Sequence, residues 1–183
     1  MKSFTLIEIL VVVSVILILS VIAIPRFRTV NSDMALDRAA YKLARDIRNI
    51  EEMSMSAKPF KSPYFPTGGY GIAFDYTNKP KSYILFADCN NNGDYDVGNA
   101  SILSCSVSQS SPNAYPELIE EVFLESGIIL LRATPPVFKL TFVPPDPEVK
   151  SQPSSASNPS VILYSKGKQR EVSINNVGLV EIK

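Results

Sequence analysis

Near the middle of the chain, Asp88-Cys89-Asn90-Asn91-Asn92-Gly93-Asp94-Tyr95-Asp96 gathers hard oxygen donors at regular spacing. Side-chain oxygens fall at positions 1, 3, 5 and 9 with glycine at 6, which follows the first three quarters of a calcium-binding loop. Position 12 of that register is Asn99, where an EF-hand supplies a bidentate glutamate, and no helical pattern precedes the loop. Two readings stay open. In one, a single calcium ion is held by Asp88, Asn90, Asn92 and Asp96 together with the main-chain carbonyl of Asp94. In the other, the segment is an Asx-rich hairpin turn whose side chains cap their own backbone.

Cys89 and Cys105 are the only cysteines, and they bracket this loop. In an oxidising compartment a disulfide between them would stabilise the fold by roughly 3 kcal/mol through loop closure, with or without a metal. In the cytosol the same pair would be free thiols, and two cysteines with no histidine make a poor zinc site.

Other chemistry is sparse. The 183 residues contain no histidine, which removes the commonest general base, and no Gly-rich phosphate loop occurs. The serine-rich stretches Ser108 to Ser111 and Ser151 to Ser157 lack an activating partner. Glu117, Glu120, Glu121 and Glu125 alternate with Leu118, Val122 and Leu124, as on the polar side of a strand or short helix. An enzymatic function is not expected. Lys166, Lys168 and Arg170 alternate on one face of a terminal hairpin and offer a DNA-binding alternative. Against it, the chain from Lys61 onward carries 10 basic and 12 acidic residues.

The elements that must position these groups form two unlike regions. From Lys61 to Lys183, short β-type runs such as Tyr70 to Phe74, Ser82 to Phe86, Phe138 to Val143 and Ser160 to Tyr164 are separated by Gly, Pro, Asn and Ser turns. Further runs fall at Val122 to Leu124, Gly127 to Leu131, Glu171 to Ile174 and Gly178 to Ile182. Gly167-Lys168 reads as a hairpin turn, and Pro144 to Pro159 as an exposed loop. Ahead of this region Leu36, Ala40, Leu43, Ile47, Ile50 and Met53 recur at spacings of four and three among charged residues, which predicts an amphipathic helix with one buried stripe.

That helix continues backward into an apolar leader. Phe4 to Ile24 is broken only by Thr5, Glu8, Ser14 and Ser20, and Pro25 closes it with an expected kink. No small-x-small cleavage site follows the run, so a secretory signal peptide fits poorly. A signal anchor fits in length but leaves Glu8 unexplained, because a carboxylate so close to hydrocarbon must be paired or functional. The cations Lys2, Arg26 and Arg28 flank both sides and do not orient the segment.

Ser3-Phe4-Thr5-Leu6-Ile7-Glu8 followed by the apolar run resembles the leader of the type IV pilin superfamily, which includes the pseudopilins of type II secretion. The Val-Pro-Pro segment and terminal hairpin are more softly similar to a minor pseudopilin. The resemblance implies cleavage by prepilin peptidase between Ser3 and Phe4, with serine where glycine is usual, methylation of Phe4, and assembly through Phe4 and Glu8. It implies a leader over 1–3, a helix over 4–57 with a membrane anchor over 4–25, and a β-rich head over 58–183. The fold class expected is α+β, a long helix, transmembrane in its first half, packed against a small antiparallel head.

The function implied is a non-catalytic minor subunit of a pilus or secretion pseudopilus, with other pilin or pseudopilin subunits and an inner-membrane assembly platform as partners. It would pass once through the inner membrane, N-terminus in the cytoplasm and head in the periplasm or outside. The alternatives are a DNA-uptake minor pilin, with nucleic acid as partner, and an anchored calcium-binding or adhesive head that does not polymerise.

Overall fold

The computed structural model describes residues 5–60, 65–96, 105, 117–133, 137–145, 148–152, 159–175 and 178–183. Among the described residues one helix, α1 (Leu6–Met55), precedes nine strands: β1 (Tyr70–Asp75), β2 (Ser82–Ala87), β3 (Leu118–Phe123), β4 (Ile129–Ala133), β5 (Val137–Val143), β6 (Glu148–Gln152), β7 (Ser160–Ser165), β8 (Lys168–Ile174) and β9 (Val180–Ile182). The strands form a five-stranded sheet ordered β3-β2-β1-β5-β6 and a four-stranded sheet ordered β4-β7-β8-β9. Every pairing is antiparallel.

Thr5 begins α1 as its N-cap. Its Oγ1 accepts the Glu8 N–H (3.4 Å), and the Glu8 carboxylate accepts the Thr5 N–H (3.2 Å), a reciprocal capping box that satisfies two end groups of the helix. The helix runs without interruption through Pro25. At its far end Ala57 turns left-handed (φ 49°), and the Lys58 N–H returns to the Met53 carbonyl.

The predicted stripe is where the two sheets meet the helix. Leu36, Ala40, Leu43, Ile47 and Ile50 are buried against Tyr70, Ile72 and Phe74 of β1, Phe138, Leu140 and Phe142 of β5, and the inward residues of β7 and β8. Alternation at period two sends these residues to the core. Phe74 and Phe138 are register partners and stack with centroids 5.4 Å apart. Polar groups at the seam are matched: the Tyr83 hydroxyl donates to Asp46 (2.6 Å), and the Tyr70 N–H donates to the buried Ser54 Oγ (2.8 Å). Burial pushes the Tyr70 phenol up to about 12. Gly69 (φ +80°) lies so close to β5 that a Cβ would sit 2.0 Å from the Phe142 carbonyl.

Three sequence expectations change here. The stretch Pro144 to Pro159, read as a loop, contains β6, which pairs with β5 from Val143↔Glu148 to Lys139↔Gln152. The β7–β8 turn sits on Lys166 (φ 46°) and Gly167 (φ 88°), one residue earlier than expected. The transmembrane reading of the first half of α1 is also corrected: among the described residues no helix is long and apolar enough to cross a membrane. The anchor over 4–25 and the single-pass placement in the inner membrane are set aside with it.

Ile47 is 0% exposed and Ile16 is 56% exposed, so truncating each should have opposite consequences. Ile47→Ala is expected to lower unfolding free energy by about 2–5 kcal/mol, and Ile16→Ala to leave it within about 0.5 kcal/mol, in urea titrations at one protein concentration.

Candidate functional site

The oxygen-rich segment leaves β2 at Asp88 and folds back on itself. Asp88 is 1% exposed; its Oδ1 accepts the Asn92 N–H (3.2 Å) and its Oδ2 the Gly93 N–H (2.7 Å). Asn90 Oδ1 accepts the Asn92 N–H (3.1 Å), and Asn92 Oδ1 accepts the Asp94 N–H (2.7 Å), giving successive Asx turns. The side-chain amides of Asn90 and Asn92 both donate to Asp96 Oδ2, at 2.6 and 2.9 Å. The Asp94 carboxylate turns away to pair with Lys139 on β5, while Gln152 on β6 donates to the Asn92 carbonyl (2.7 Å).

Cys89 and Cys105 are joined in a buried disulfide with Cα atoms 5.1 Å apart. Beside it lies Glu117, which is 0% exposed. Its Oε1 accepts the Cys89 N–H (3.0 Å) and its Oε2 the Asp96 N–H (2.8 Å), so one carboxylate clasps the loop at both ends. Burial is the main reason that this carboxyl is pushed up to about 7; Asp96 and Asp88 add to the rise, and the two N–H donors oppose it. Asp88 is also raised, by burial first, against its own N–H donors.

All five residues expected to hold calcium therefore share one loop. Asp88, Asn90 and Asn92 direct oxygens to backbone N–H groups, Asp96 serves two amides, and Asp94 serves a lysine. Among the described residues no group of three or more His, Cys, Asp or Glu is placed to hold a metal ion. Asn99 lies outside the described residues. The other glutamates noted in the sequence do not converge on Glu117: Glu121 pairs with Lys79 (3.0 Å) and Ser82 (2.8 Å), and Glu125 with Arg38 (2.8 Å).

The terminal hairpin does not present three free cations. Lys168 pairs with Asp33, and Arg170 with Asp37 (2.7 Å), both acids being on α1. Lys166 is left exposed at the turn. Together with Arg38 and Glu125, these pairs tie α1 to the head on its polar flanks.

The opposite end of α1 has another character. From Leu6 to Ile22 the large apolar side chains are exposed by 49% to 83% on every face of the helix. Ser14 and Ser20 return their hydroxyls to the Leu10 and Ile16 carbonyls (2.8 and 2.7 Å), so neither needs a polar neighbour. Glu8, expected to act in assembly, is engaged in the capping box with Thr5. Ser3 and Phe4, the expected processing residues, lie outside the described residues.

No family model, curated protein or solved structure matches the chain. The resemblance to the type IV pilin superfamily is corrected by that finding together with the lack, among the described residues, of a membrane-spanning helix. The reading as a pilus or pseudopilus subunit falls with it, as do the DNA-uptake alternative and the membrane-anchored head.

Glu117 gives the loop a pH signature. The folded chain retains between about pH 4.5 and 7 a proton that the unfolded chain releases, so this group makes stability fall as pH rises through that window and adds no further slope above it. Unfolding midpoints of the wild type should show this decline. Glu117→Gln should remove that part of the slope: below about pH 4.5 it should be less stable than the wild type by about 1–3 kcal/mol, because an amide N–H2 would face a backbone N–H, and that deficit should shrink as pH rises towards 7.

Proposed function

We propose that this protein is a non-catalytic association module in which the apolar half of α1 packs into a helical bundle with the same segment of other copies, while the two-sheet head stands outside the bundle. The observation that carries this reading is the exposure of Leu6 to Ile22 on all faces of a helix whose second half is buried along a single stripe. A helix apolar all round is stable only when it is surrounded. Its exposed side chains offer on the order of 1,000 Å² of apolar surface, above the ~800 Å² per partner of a standard interface.

Three further features support association over chemistry. The hydroxyls of Ser14 and Ser20 are satisfied within the helix, so an apolar helical neighbour would not strand them. The head is tied to the helix by ion pairs and a shared core, so it would be carried as one piece. The chain has no histidine, and the carboxylates of its oxygen-rich loop are committed within the chain, Asp88 to backbone N–H groups, Asp94 to Lys139 and Asp96 to two side-chain amides.

Sedimentation of the full chain at micromolar concentration should give a species larger than a dimer. Single cysteines placed in turn from Leu10 to Leu19 should cross-link between copies on every face of the helix. Leu10→Asp combined with Leu17→Asp should sediment as a monomer whose head unfolds at the wild-type midpoint. A wild-type chain that stays monomeric over the whole concentration range, or no cross-linking between copies at any of these positions, would overturn the proposal.

A further inference from the structure

We draw no further inference here: the strongest candidate, the carboxylate cluster of Asp88, Asp96 and Glu117 in the disulfide-bonded loop between β2 and β3, carries none because both oxygens of Asp88 and of Glu117 already accept backbone N–H bonds and no second observation points to a ligand.

Discussion

Without α1, neither sheet would have a surface on which to bury its inner face. The five-stranded sheet contributes Tyr70, Ile72, Phe74, Phe138, Leu140 and Phe142, and the four-stranded sheet contributes Val161, Leu163, Val172 and Ile174. Both sets close on the same helical stripe, Leu36 to Ile50. Each sheet has an apolar face that must be covered, and a common helix joins the two into one core. Ion pairs on the flanks of the stripe then fix the angular position of the helix. Exposed pairs of this kind contribute little stability each, so their role is alignment more than strength.

The same helix changes function along its length. Up to Ile22 it buries no large apolar side chain against the described residues; from Leu36 it is the centre of the core. That division separates two constraints on the sequence. In the second half each position is dictated by the sheets, and a substitution such as Ile47→Ala leaves a cavity with no easy collapse. In the first half no packing against the described residues fixes the side chains, and the proposed neighbour would be what holds them. The capping box at Thr5 and Glu8 starts the helix whether or not that neighbour is present.

Much of this order was legible in the residues. The i, i+3, i+4 spacing located the buried stripe, and alternation with Gly, Pro and Asn breaks located eight of the nine strands among the described residues. The exception, β6, hid in Glu148 to Gln152 because Glu-Val-Lys-Ser-Gln has one apolar residue and edge pairing needs only backbone groups. Thr5-x-x-Glu8 carried a capping-box signal that the apolar run overshadowed. Glu117 was grouped with its neighbouring glutamates, and nothing local marked it as the one that turns inward beneath the loop. The alternation of Lys168 and Arg170 was visible, but their partners Asp33 and Asp37 are more than a hundred residues away, and only the packing of β8 beside α1 brings them together. The leader resemblance rested on a short motif, and neither the comparisons nor the described span of the helix sustained it.

The division of α1 into a half held by the head and a half held by neighbours is most directly tested by hydrogen exchange of the full-length chain, read by mass spectrometry across a range of protein concentrations. Amides from Leu36 to Ile50 should be protected equally at every concentration, because their cover is intramolecular. Those from Leu10 to Ile22 should gain protection as concentration rises. Equal protection of both halves at all concentrations would contradict the account, since the apolar half would then be stable without a neighbour.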